Sequence, residues 1–287
     1  MKLTTIRLAG GATVAARVDG DTAVELGFAD VGDLLRRGDL GAVATATGAT
    51  HDLASAELAP VVVAPAKIVC VGLNYRNHIL KMGRELPEHP TLFAKYPDAL
   101  VGPRDEIQLP PESDKVDWEG ELAVVIGRTV RRADAEQAAA AIAGYSVLND
   151  VTMRDYQYRS PQWFQGKTWE RSTPLGPVLV TPDEMPDGAQ LVTLLDGEEV
   201  QRTPVDDLVF SAVELVRYIS TIFTLNPGDV IATGTPGGVG HARRSGRYIT
   251  AGQTLTTRID GIGELVNVAV AEQLDAAAAR EPDVVRA

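Results

Sequence analysis

The chain has 287 residues, 45% of them hydrophobic and 23% charged, the balance of a globular protein with one large domain or one large and one small. Its 27 Lys and Arg against 39 Asp and Glu leave a formal net charge of −12, which argues against a nucleic-acid or anionic-membrane surface, since both want a basic face. One cysteine, Cys70, excludes an intrachain disulfide or a cysteine metal cluster; with no run of about 18 apolar residues and no apolar signal-peptide core, a cytoplasmic location is expected.

Residues 1–62 read as a small unit of their own. Alternating stretches at 2–8, 13–18 and 22–26 are separated by Gly10-Gly11 and by Asp19-Gly20-Asp21, the pattern of an antiparallel meander, and 31–37 reads as a short helix stopped by Gly38. No reactive side chains cluster here, so packing or dimerisation is the expected role. The main domain is expected over 63–272 and a frayed tail over 273–287. The main domain opens on a short buried strand, K-I-V-C-V-G at 67–72, where Cys70 is a small core residue. It runs into L-N-Y-R-N-H. A side chain just after a buried strand is held in a fixed position, which makes His78 a candidate catalytic residue, with a structural or surface histidine as the alternative. The polar segment 78–88 carries Lys81, Arg84 and Glu85, and short apolar pieces follow at 92–95 and 100–102.

The stretch V-D-W-E-G-E-L-A-V-V-I-G at 116–127 places two acids two residues apart before a β-branched run closed by glycine. On a strand, residues i and i+2 share a face, so Glu119 and Glu121 project together. Side-by-side carboxylates repel, and a divalent cation is the simplest offset; a solvated strand end with two unrelated glutamates is the alternative. An alanine-rich helix is expected at 134–143, capped by Asp134. The strand at 145–150 ends in Asp150, a third oxygen ligand if that strand lies beside the first. Three carboxylates suit Mg2+, Mn2+ or Ca2+ rather than zinc. Arg154 and Asp155 read equally well as a surface ion pair.

Gln165-Gly166-Lys167-Thr168 is not a phosphate loop, because Pro161 stands where that pattern needs its first glycine. Lys167 nevertheless lies among Trp163, Phe164 and Trp169; a partly desolvated ammonium there could hold a carboxylate or an enolate, whereas a snorkelling surface lysine would do neither. A hairpin across Asp196-Gly197, an amphipathic helix at 211–221 and a closing hairpin over Asp260-Gly261 are expected downstream. The glycine-rich loop at 233–240 is not followed by a helix pattern and so is no dinucleotide fingerprint; its glycines let backbone approach a ligand closely.

Seven pieces occur in one order: V-G-L-N-Y-R-N-H (71–78), L-V-G-P (100–103), D-W-E-G-E-L-A-V-V-I-G (117–127), A-G-Y-S-V-L-N-D-V-T-M-R-D (143–155), Q-G-K-T (165–168), P-L-G-P (174–177) and P-G-D-V-I-A-T-G-T-P-G-G-V-G (227–240). As a set they make the chain resemble the fumarylacetoacetate hydrolase family over roughly 65–270. The resemblance implies a mainly β (α+β) fold, a mixed β-sandwich or β-roll with a small N-terminal domain, in a homodimer. It implies a Mg2+ or Mn2+ site formed by Glu119, Glu121 and Asp150, with Lys167 facing the substrate and His78 activating water in hydrolytic members. It places Gln157 and Thr235 along the substrate cleft; Tyr75 and Arg154 are further substrate-binding candidates, and the segment 78–90 is expected to form a lid with Lys81 and Glu85 as candidate residues in it. Substrates of the family are small anionic 2-oxo acids.

One departure bears on the reaction. Many shorter members carry His-x-x-Glu, and here the third residue after His78 is Lys81, with Glu85 a substitute only if the segment is helical that far. The leading expectation is a metal-dependent hydrolase of a 2,4-dioxo acid of the acylpyruvate type. The alternative is an oxaloacetate tautomerase, or an isomerase or decarboxylase of a 2-oxo diacid, on the same metal site. A non-catalytic metabolite-binding protein is the third. A glycosidase is excluded, because its two carboxylates flank the scissile bond while Glu119 and Glu121 point the same way.

Overall fold

The run at 122–126 is apolar throughout because its strand is covered on both faces. In the computed structural model, which describes residues 1–273, all seven residues of Gly120–Ile126 are buried. Val124 and Ile126 pack under the helices Ala135–Ala141 and Ala212–Ile222, while Ala123 and Val125 join a second cluster with Cys70, Leu148 and Leu179. The strand lies inside an 11-stranded sheet, between Ile142–Asn149 and Val230–Ala232, both antiparallel to it. Val230–Ala232 pairs in parallel with Ile68–Gly72, and Thr91–Lys95 closes that side. A five-stranded sheet, from Glu198–Pro204 through Gln190–Leu195, Thr254–Ile259 and Gly263–Ala271 to Ile107–Leu109, packs against the first. Leu122 and Val147 of the first meet Leu191, Ile259 and Leu265 of the second. The fold is mainly β with mixed sheets, as expected.

Local signals set the element ends. Both long helices start on a reciprocal capping box, Asp134 with Gln137 and Ser211 with Glu214. The turn between Gln190–Leu195 and Glu198–Pro204 has Asp196 at φ 51° and Gly197 at φ 79°, the positive pair a two-residue hairpin needs.

The division expected at 62 is crossed by the sheet. Strands Lys2–Arg7, Thr13–Asp19, Thr22–Glu25 and Thr50–Asp52 extend the large sheet, because Lys2 and Leu3 pair with Val180 and Leu179 of Thr173–Val180. Leu3, Val31 and Leu34 share one apolar cluster with Val125 and Val230. The expected helix at 31–37 is present, capped by Asp30. Residues 274–287, most of the expected tail, lie outside the described residues. Among the described residues no helix is long and apolar enough to cross a membrane.

Candidate metal centre and substrate cleft

Antiparallel pairing of neighbouring strands builds the centre. Gly120 pairs with Asn149, which sets Glu119 and Asp150 one residue beyond paired strand ends, and the Asp150 N–H donates to the Glu119 carbonyl at 2.8 Å. The strand breaks at Trp118 and Glu119, so only Glu121 of the two glutamates lies within it. The pair still converges: ligand oxygens of Glu119, Glu121 and Asp150 lie within 4.8 Å of one another, and all three side chains are buried. The expected condition, that the Asp150 strand lie beside the Glu121 strand, is met.

Buried charge demands partners. Lys167, 1% exposed, donates to Glu119 Oε2 at 2.8 Å and to Asp150 Oδ2 at 2.7 Å, so it is not a snorkelling lysine. Its ammonium lies 5.1 Å from the ring centroid of Phe93, a residue of the strand Thr91–Lys95 and distant from it in sequence. Lys95 donates to Asp150 Oδ1 at 2.6 Å. Arg154 is held by Asp117 through Nε at 2.8 Å and lies 2.6 Å from Glu119 Oε1, while Asp155 turns away to accept from Ser113. The surface ion pair between Arg154 and Asp155 is therefore not formed.

The charges do not cancel. Four acids, Asp117, Glu119, Glu121 and Asp150, face three cations, Lys95, Arg154 and Lys167. Among the described residues Glu121 is the one with no ion-pair partner; its Oε2 accepts only the Gly234 N–H, at 2.8 Å. Burial, reinforced by Asp150 and Glu119, pushes its carboxyl well above the usual carboxylate range. Burial acts the same way on Asp150, but Lys167 and Lys95 outweigh it and hold that carboxyl below its usual range. An all-oxygen donor set with one uncompensated buried acid fits a hard divalent cation, which Glu119, Glu121 and Asp150 could hold.

Beside the acids opens a cleft of about 300 Å³, lined among others by His78, Glu119, Arg154, Gln157, Lys167 and Thr235. Arg154 Nη2 is buried there without a hydrogen-bond partner. Gln157 receives Arg154 Nη1 at 2.9 Å, and Thr235 hydrogen-bonds the Gly120 carbonyl at 3.0 Å. His78 is half-buried in the helix Arg76–Lys81. Burial, helped by Arg84 and Lys81 and opposed by Glu119, lowers its imidazole below the usual range. No carboxylate among the described residues forms a hydrogen bond or ion pair with it.

Three expected site residues stand elsewhere. Tyr75 is 1% exposed and absent from the cleft; it caps the helix start, bridges to Leu208 and lines a neighbouring cavity instead. Lys81 is exposed and lines that same cavity. Glu85 lies beyond the helix, which ends at Lys81, so the helical face it was to share with His78 does not extend to it. Sequence reasoning missed Lys95 and Asp117. The signal for Lys95 was a lysine closing a short apolar strand, and for Asp117 an acid inside the same motif as the two glutamates.

Residues 67–270 match the family described as fumarylacetoacetate (FAA) hydrolase, C-terminal. The chain belongs to the fumarylacetoacetate hydrolase family. Among members of this family, a mitochondrial oxaloacetate tautomerase of Bos taurus is 42% identical over 217 residues, 74% of this chain and 69% of that protein. The solved fumarylacetoacetate hydrolase of Exiguobacterium antarcticum is 32% identical, with a TM-score of 0.84 over 95% of this chain and 100% of that one. A 5-carboxymethyl-2-hydroxymuconate delta-isomerase of Mycobacterium smegmatis is 36% identical, with a TM-score of 0.78 over the same shares. Family membership and mixed β fold thus agree with the expectation from sequence.

Proposed function

We propose that this family member is a tautomerase or isomerase that moves a proton next to the carbonyl of a small 2-oxo diacid, of the oxaloacetate class, at a centre loaded with Mg2+ or Mn2+. The observation that carries this reading is His78: it faces the cleft with no carboxylate among the described residues bonded to it to orient the ring, and burial with Arg84 and Lys81 keeps its imidazole below the usual range against the pull of Glu119. Deprotonating water for attack on a carbonyl asks for a base whose cationic form is stabilised by a partner. A carbon acid flanked by a polarised carbonyl is far more acidic than water and asks less.

The bound cation would supply Lewis-acid polarisation of the 2-oxo group. The chain's own residues supply the rest. The unpartnered Nη2 of Arg154 and the Gln157 side chain receive a substrate carboxylate. Lys167 places its ammonium where negative charge grows on the 2-oxo oxygen. His78, kept neutral, takes a proton from the carbon next to the carbonyl and returns it to product. The tautomerase and isomerase among the relatives favour the same class of reaction.

Hydrolysis of a 2,4-dioxo acid is the competing outcome. One preparation with Mn2+ decides: decay of oxaloacetate enol absorbance is followed beside pyruvate release from an acylpyruvate. Accelerated enol decay without pyruvate release is expected; pyruvate release at a comparable rate would overturn the assignment.

A further inference from the structure

The three acids do not offer both their oxygens. Asp150 Oδ1 accepts from Lys95 Nζ at 2.6 Å, Glu119 Oε1 faces Arg154 Nη1 at 2.6 Å, and Glu121 Oε2 accepts the Gly234 N–H at 2.8 Å. Each of these donors is fixed by something besides the acid. Lys95 ends the Thr91–Lys95 strand with its side chain fully buried, and its ammonium also reaches the Val151 carbonyl at 3.3 Å. Arg154 is clamped by Asp117 and Gln157, and the Gly234 N–H is main chain two residues past a core strand. The second oxygens of Glu119 and Asp150 share one donor, the ammonium of Lys167, which, unlike Lys95, borders the cleft and can turn into it on its flexible four-carbon stem.

We propose that Lys95 is a positioning residue for the metal centre: with Arg154 and the Gly234 N–H it restricts each acid to a single oxygen for the cation, so that the centre selects a small six-coordinate ion over calcium. Calcium takes six to eight oxygens and commonly uses both oxygens of a carboxylate, whereas Mg2+ and Mn2+ accept single oxygens and complete an octahedron with water. A cation that took Asp150 through both oxygens would have to evict the Lys95 ammonium. That ammonium is buried, and the Val151 carbonyl is its only other hydrogen-bond partner among the described residues. An unpaired buried charge is too unfavourable to be tolerated. The inference rests on the acids being a metal centre and not on which reaction the centre runs.

The test uses Mn2+ titrated into the metal-free protein, read from the paramagnetic resonance signal of the free ion, with Ca2+ then added in competition. The wild-type protein is expected to keep Mn2+ against a roughly hundredfold excess of Ca2+. Lys95→Met keeps the side-chain length and removes the ammonium; it is expected to lose about tenfold of that preference, because Asp150 Oδ1 becomes available. A lysine that merely fills space would shift the melting temperature of the variant and leave the Mn2+/Ca2+ ratio alone. An unchanged ratio in folded Lys95→Met therefore overturns the role of Lys95. If the variant does not fold, the wild-type protein still decides, since displacement of Mn2+ by an equal concentration of Ca2+ overturns the proposal. Failure of the wild-type protein to bind Mn2+ at all is a distinct result, which overturns the metal centre itself.

Discussion

His78 carries the chemistry in the proposed reaction, and its surroundings define a pH dependence. Burial lowers its imidazole below the usual range; Glu119, the strongest of the charges around it, opposes that, and Arg84 and Lys81 add to it. A base is active when neutral, so the acidic limb of the pH–rate profile is expected below the ordinary histidine range, with activity lost as pH falls through that lowered value. Lys81→Glu replaces a cation one helical turn away by an anion and should move the limb to higher pH, as a titration of the enol-decay rate would show. A limb that stays in place would mean that Lys81 does not reach His78 electrostatically. The residues of this site differed in how legible they were. Glu119, Glu121 and Asp150 were legible because acids two residues apart on a strand share a face, a third acid ends a neighbouring strand, and all three fall in the ordered family motifs; the acid pair alone favoured a solvated strand end. Tyr75 is buried and lines the cavity next to the cleft, one that His78 also borders, a placement no local pattern around it specifies. Lys95 showed only as a lysine closing a short apolar strand; its partner Asp150 is 55 residues away and the fold alone brings them together.

At the scale of elements, the loop after Val230–Ala232 contributes backbone rather than side chains. Gly234 has φ 103°, and a Cβ there would stand 2.9 Å from the Val71 carbonyl oxygen and 3.0 Å from Asn74 Cβ. The glycine lets its N–H reach Glu121, which is what close approach by a glycine-rich loop was expected to do, although the partner is an acid of the centre and not a ligand. Gly234→Ala is expected to destabilise by about 1–3 kcal/mol and to weaken Mn2+ binding together with it, measured by urea unfolding and by metal titration. Stability lost with binding intact would separate the loop from the centre. Regular elements were read well where a local code exists: the helix behind its Asp134 cap, the amphipathic helix from Ser211, the Asp196-Gly197 turn and the buried strand within Gly120–Ile126 all rest on neighbours in sequence. Short strands such as Thr50–Asp52 carry no periodicity to detect, and they form because an edge is there to receive them.

For the whole molecule, the centre joins neighbouring strands at the middle of the large sheet, so occupancy and stability are linked. Mn2+ at about a hundredfold its dissociation constant should add roughly 2.7 kcal/mol, a shift of several degrees in melting temperature that EDTA reverses. A melting temperature indifferent to both would mean that no cation engages the folded state. The order of the sheet was the least legible feature, because pairing between distant segments leaves no local mark: residues 1–62 read as a separate unit since nothing near them names Val180 as a partner. That pairing has a consequence for how the chain is made. Lys2 waits for a strand that ends at Val180, and a ribosome adding about 5–20 residues per second needs on the order of ten to forty seconds to deliver it. Throughout that interval the leading meander carries an open, hydrogen-bonding edge. That meander thus stays open to edge pairing until Val180 is made, the interval in which a holding chaperone serves it most.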